Sequence, residues 1–181
     1  MVHLGDVPLV ASLLWCLRAH EERKEEAMSE QENKAVSRRV AEEIFNEGNL
    51  DLADELYAPD YVLHDPSLPE DLHGPEGLKQ YAAMNLGAFP DARVTVEDQI
   101  AEGDMVATRW RATGTHTGEL MGIPPTGRRS EISGITINRF SGGRIAEDWY
   151  QSDDLGMMQQ LGVIPSPEEV SSESSEEASP T

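Results

Sequence analysis

Four side chains, His64, Asp148, Tyr150 and Asp153, have the types and spacing that proton transfer requires. His64 stands next to Asp65, and an imidazole titrates near working pH, so it can exchange a proton with a reacting group. Its alternative role is that of a loop histidine hydrogen-bonded to backbone. Asp153 follows Trp149 by four positions and can face a pocket and orient His64, or cap a following helix, and the two roles are compatible. Asp148 and Tyr150 are two positions apart, so a strand carrying them puts both on one face. If that face is internal, Asp148 supplies a buried carboxylate; otherwise it is an exposed acid near a strand edge. Tyr150 can donate a hydrogen bond, but with an ordinary pKa of about 10 it is a poor base.

Other residues read as walls rather than as reacting groups. Trp110 and Trp149 suit a core or a pocket wall, and His116, beside Gly114 and Gly118, suits a pocket rim. In the run Arg129 to Phe140, period-two alternation sets Ile132, Gly134, Thr136 and Asn138 against Ser133, Ile135 and Ile137. If the first set lines a pocket with Trp110, the isoleucines face outward, and an exposed apolar stripe on a sheet suggests a partner subunit.

These residues need elements to hold them. Ser29-Glu30-Gln31-Glu32 is a capping-box pattern, and Val36, Val40 and Ile44 recur on one helical face, which predicts a first helix to about Glu47 with Gly48 as its C-terminal cap. Asn49 can cap a short second helix carrying Leu52 and Leu56, stopped by Pro59, and an extended piece follows from Tyr61 into the His64-Asp65-Pro66 loop. Pro75 opens a third helix with Leu78, Tyr81, Ala82 and Leu86 facing inward, Tyr81 toward the pocket, ending near Phe89-Pro90. Beyond residue 91 the period becomes alternating. Arg93 to Ala101 turns through Gly103 into Met105 to Thr117, and Arg129 to Phe140 turns through Gly142-Gly143 into Arg144 to Gln151, both turns favouring antiparallel neighbours. A last helix covers about Asp153 to Leu161 before Gly162 and Pro165. Helices followed by long antiparallel strands imply an α+β fold, a cone-shaped curved antiparallel sheet packed against N-terminal helices, with a pocket inside the cone.

Composition sets the outer limits. There are 34 Asp plus Glu against 14 Lys plus Arg, a net charge of −20, which repels phosphate backbones and anionic bilayers, so neither nucleic acid nor membrane is an expected partner. Lysine is confined to residues 24, 34 and 79, a skew that fits a halophilic, acidic protein kept soluble at high salt. Cys16 is the single cysteine, and no Cys/His spacing resembles a zinc site, which fits a reducing, cytoplasmic location without a metal. Residues 1–28 read as an N-terminal appendage, which a start codon assigned upstream of Met28 would explain. Residues 29–165 form the domain, and 166–181, built only of Ser, Glu, Pro, Ala, Val and Thr, read as a disordered acidic tail.

The segment from Gly114-Thr115-His116-Thr117-Gly118 through Gly122-Ile123-Pro124-Pro125-Thr126-Gly127 to Arg128-Arg129 resembles the signature of the SnoaL-like polyketide cyclases, within the folds related to nuclear transport factor 2. Flanking matches are Pro59-Asp60-Tyr61, His64-Asp65-Pro66, Gly74-Pro75-Glu76-Gly77, Gly143-Arg144-Ile145, Trp149, Asp153 and Gln159-Gln160-Leu161-Gly162, so the resemblance spans about residues 33 to 163. It implies a cone of bent sheet and three helices, a homodimer or homotetramer, and ring closure of a polyketide by intramolecular aldol condensation with no metal or organic cofactor. It further implies an aspartate acid/base on the final strand, where this sequence has Tyr150, and a glutamine and a histidine on the preceding strand, where it has Gly134 and Thr136. The aldol mechanism therefore needs another base here. The expectation is an ester cyclase or polyketide cyclase-type protein that performs acid/base cyclisation, isomerisation or hydrolysis on a small, largely apolar carbonyl compound or ester. The alternative is a non-catalytic small-molecule-binding or dimeric scaffold domain of the same fold.

Overall fold

Ser29 closes the predicted capping box: its side chain accepts from the Glu32 backbone N–H, and the Glu32 carboxylate accepts from the Ser29 N–H at 2.8 Å. These are the first of the described residues in the computed structural model, 29–166; the expectations for the N-terminal appendage and the acidic tail lie outside the described residues. Helix α1 (Glu30–Arg39) does not continue to Glu47 as an α-helix. It widens into a π-helical stretch, Val40–Asn46, before Gly48 turns the chain at φ +74°. The wider turn carries Asn46 to the sheet, where its amide donates to the Val94 carbonyl and accepts from the Val94 N–H, satisfying backbone of an edge strand.

A 3-10 turn, Leu50–Leu52, and a single helical turn, α2 (Ala53–Leu56), bury Leu52 and Leu56. Asn49 precedes the turn, but its side chain makes no capping bond. Strand β1 (Tyr57–His64) follows directly, then β2 (Leu72–His73), helix α3 (Gly74–Ala88) with proline in its first turn, β3 (Arg93–Glu102), β4 (Met105–Thr115), β5 (Arg129–Ser141), β6 (Arg144–Ser152) and helix α4 (Asp154–Leu161). Gly162, at φ +73°, ends α4 as predicted.

The strands form one six-stranded sheet in the order β2-β1-β6-β5-β4-β3. The two predicted hairpins, β3–β4 and β5–β6, are present and antiparallel. One pairing departs from the antiparallel expectation: β1 runs parallel to β6, because the chain crosses from one edge of the sheet to the other before β6 returns beside β1. Register shifts at Val96/Asp98, at Arg139/Phe140 and between Tyr57 and Val62 bend the sheet. Its concave face closes over α1, the π-helical stretch and α3 around a core of Ile44, Leu56, Tyr57, Tyr61, Leu63, Leu78, Val106 and Ile145. A second cluster, Ala88, Phe89, Leu120 and Leu161, plugs the end of the cone where the Gly114–Arg129 loop meets α4.

Candidate active site

Within the cone is a cavity with about 180 Å³ open to water. A single bound water needs only about 10–15 Å³ on that measure, so the space has room for much more than one water. Its walls are mostly apolar, from Val40, Phe45, Leu86, Phe89, Val94 and Ile132. Polar groups enter at two levels.

The lower level is centred on Asp148. Period-two alternation on β6 turns Asp148 and Tyr150 inward and Trp149 outward, so the shared face expected for the first two is the internal one. Asp148 is 4% exposed, accepts a hydrogen bond from the Tyr61 hydroxyl at 2.9 Å and one from Asn138 Nδ2 at 2.5 Å. Asn138 Oδ1 in turn accepts from the Ser37 hydroxyl of α1 at 2.7 Å. Burial penalises the ionised carboxylate and pushes its pKa up to about 7, while the bonds from Asn138 and Tyr61 pull the other way. A carboxyl at that value can both take and return a proton at neutral pH.

The upper level is a group of aromatic hydroxyls. Burial raises the Tyr150 hydroxyl to about 12, partly offset by the neighbouring hydroxyls of Ser152 and Tyr81, and burial raises Tyr81 further still. Both remain hydrogen-bond donors at any working pH. Tyr81 donates to Asp65 Oδ2 at 3.1 Å, and Asp65 is held by the Ser67 N–H and hydroxyl. Trp110 stacks on Tyr150 with ring centroids 5.4 Å apart and donates from Nε1 to Thr136 Oγ1 at 3.0 Å. Trp110, Thr136, Asn138 and Tyr81 line the cavity, and together they make one wall aromatic and polar.

Other expected site residues are elsewhere. His64 alternates with the inward-facing Tyr61, Leu63 and Asp65, so its ring emerges on the outer face, 2.9 Å from both Asp71 and Glu147 and stacked on Trp149. The Glu147 hydrogen bond, helped by Asp71, holds the imidazole above its ordinary pKa. Trp149, 37% exposed, therefore belongs to the outer surface rather than the pocket wall. Asp153 is exposed and caps α4, accepting from the Gly156 N–H at 2.9 Å, and it does not meet His64. His116 is fully buried but packs on Phe89 at the plugged end. Its Nδ1 accepts from the Thr126 N–H, and Nε2 has no hydrogen-bond partner among the described residues.

Three participants escaped the sequence reading: Ser37, Tyr61 and Asp65. Parity with Leu63 was the available signal for Tyr61 and Asp65, whereas nothing in an amphipathic helix distinguishes Ser37 from a surface serine. Among the described residues no three His, Cys, Asp or Glu side chains converge as metal ligands would, and no helix is long and apolar enough to cross a membrane.

An α+β cone with helices over a bent sheet, with a buried carboxyl and aromatic hydroxyls lining an apolar pocket, has the architecture of the nuclear transport factor 2-like fold. Residues 35–161 match the SnoaL-like polyketide cyclase family, and the chain belongs to it. It is 34% identical over 122 residues to the nogalonic acid methyl ester cyclase of Streptomyces nogalater, covering 65% of this chain and 89% of that one. It is 32% identical over 135 residues to the aklanonic acid methyl ester cyclase DnrD of Streptomyces peucetius, covering 70% and 89%. The structure of TsrD from Streptomyces laurentii superposes with a TM-score of 0.68 at 26% identity, over 76% of this chain and 99% of that one.

Proposed function

We propose that this protein is a ring-closing enzyme that uses Asp148 as its acid/base and needs no metal or organic cofactor. The observation carrying the proposal is a carboxyl with a pKa of about 7 at the floor of an apolar cavity, on the strand and face where the family resemblance puts the catalytic aspartate, but two residues earlier. Asp148 takes the proton from a carbon beside a carbonyl, and the C–H electron pair becomes an enolate. Tyr150 donates a hydrogen bond to the oxygen that gains charge. The enolate carbon attacks a second carbonyl of the same molecule, one C–C bond forms, and the proton returns to the new alkoxide. Substrate and product are isomers, so no co-reactant is consumed.

The names of the relatives favour a carbonyl-rich methyl ester as substrate, and the apolar walls agree. The test is incubation with nogalonic acid methyl ester and aklanonic acid methyl ester, following a product of unchanged mass and altered retention. Asp148→Asn is expected to lower turnover by about 10²–10⁴-fold and Tyr150→Phe by about 10²-fold. Tight binding of both esters without conversion would replace the enzyme with the non-catalytic binding domain.

We also infer a homodimer formed through the outer sheet face. Ile100, Ile135 and Trp149 are 73, 47 and 37% exposed there. Ion pairs of both signs flank them, Arg111 with Glu131 on one side and Arg139 with Glu147 on the other. Such a patch is self-complementary, as a twofold interface requires.

A further inference from the structure

The floor of the cavity holds an ordered chain of side chains that reaches from Asp148 back to α1. Ser37 is buried and has one hydroxyl proton, which it donates to Asn138 Oδ1 at 2.7 Å. With the Ser37 proton directed at Oδ1, the Asn138 NH₂ faces Asp148, where Nδ2 donates to Oδ1 at 2.5 Å. With the amide turned over, its oxygen would confront the carboxylate, an arrangement tolerable only if Asp148 carries a proton.

We propose that Ser37 is a positioning residue for Asp148, acting through the Asn138 amide to hold the carboxylate in its proton-accepting form. The inference rests on the acid/base reading of Asp148. It also gives the chain two coherent polarities. When Asp148 is ionised, hydrogen bonds run from Ser37 to Asn138 to Asp148. When Asp148 holds the substrate proton, the amide turns, Asp148 donates to Asn138 Oδ1, and Nδ2 donates to Ser37 Oγ. The Ser37 proton is then free to point into the cavity that Ser37 lines, toward an oxygen that has just become negative. The proton given up by substrate is thus matched by a donor released nearby, with no net transfer along the chain. The titratable groups facing Asp148 are Tyr57 and Tyr61 on β1, both held neutral by burial, with His64 acting through the sheet from the outer side.

The test is an NMR titration of full-length protein labelled with ¹³C at aspartate carboxyls and ¹⁵N at asparagine amides, which needs no substrate. In Ser37→Ala the Asp148 carboxyl midpoint is expected to rise by about one to two pH units, the loss of an oriented bond to a charged acceptor. Ser37→Thr, which keeps the hydroxyl, is expected to restore it. In the unmodified protein the Asn138 side-chain amide resonances are expected to follow the Asp148 midpoint, a readout that survives if Ser37→Ala does not fold. An unmoved midpoint in Ser37→Ala, a raised one in Ser37→Thr, or an Asn138 amide insensitive to the titration overturns the positioning role. A carboxyl at residue 148 that does not titrate between pH 5 and 9 in the unmodified protein overturns instead the acid/base reading beneath it.

Discussion

Trp110 on β4 lies flat over Gly134, its cross-strand partner on β5, so closely that a β-carbon at residue 134 would collide with the indole and with the Gln151 carbonyl. The family resemblance puts a pocket glutamine at residue 134. Here the indole takes that ground, and its Nε1–H bonds Thr136, at the position of the family's histidine. Gly134, Thr136, Trp110 and Tyr150 are therefore one packed set.

Gly134→Ala is expected to destabilise the protein by about 1–3 kcal/mol in denaturant unfolding, as overpacking does. In a Trp110→Ala background the cost should shrink without vanishing, because the Gln151 carbonyl remains. An equal cost in both backgrounds would mean that the indole is not the obstacle.

Asp148 is a liability to stability at neutral pH. Its folded-state pKa, about 7, lies above the ordinary value of 3.8, so between those limits the native state binds more protons than the unfolded chain. Stability from this group is then full below about pH 4 and falls as pH rises toward 7. Asp148→Asn should remove that decline and gain about 1–3 kcal/mol at pH 8, while lowering turnover. Thermal unfolding across pH 5–8 measures it. A variant less stable than the parent at pH 8 would contradict the buried-charge account.

Much of this was legible beforehand. The capping box at Ser29, the glycine turns of both hairpins and the inward faces of β4 and β5 are local signals that tertiary packing left intact. The parallel β1–β6 pair and the π-helical stretch are not local: the first depends on the chain's crossing from β2 to β3 at opposite edges of the sheet, the second on how Asn46 meets the edge strand β3. His64 shows a different failure. Of the adjacent pair His64 and Asp65, chemistry favours the imidazole, but the buried alternation of Tyr61 and Leu63 selects Asp65 for the inside. Parity outranks residue type.

His64 and Asp153 are accordingly expected to be dispensable for turnover. Asp153→Ala loses the cap on α4 and should cost about 1 kcal/mol. His64→Gln removes a charge pair whose folded-state pKa is raised. Its small stabilisation is present below about pH 6.5 and lost as pH rises through the raised value. Steady-state rates with an accepted ester would decide, and a hundredfold loss in either variant would return that residue to the active site.

The outer face carries the last prediction. Register places Ile100, Ala107, Ile137, Trp149 and His64 in one row across five strands, and Ile135 lies on the same face beside it. A stripe of this kind on a sheet of mixed charge is stable in water when a second copy covers it. Sedimentation velocity is expected to give a dimer. Ile135→Glu would put a carboxylate into the twofold contact, opposite an Arg109 already paired with Glu97 and Asp98, so the dimer should weaken by well over tenfold with the far-ultraviolet circular dichroism unchanged. Since residue 135 faces away from the cavity, ligand binding per subunit should survive the change. A parent protein that sediments as a monomer at tens of micromolar, or an Ile135→Glu variant that stays dimeric, would move the interface off this face.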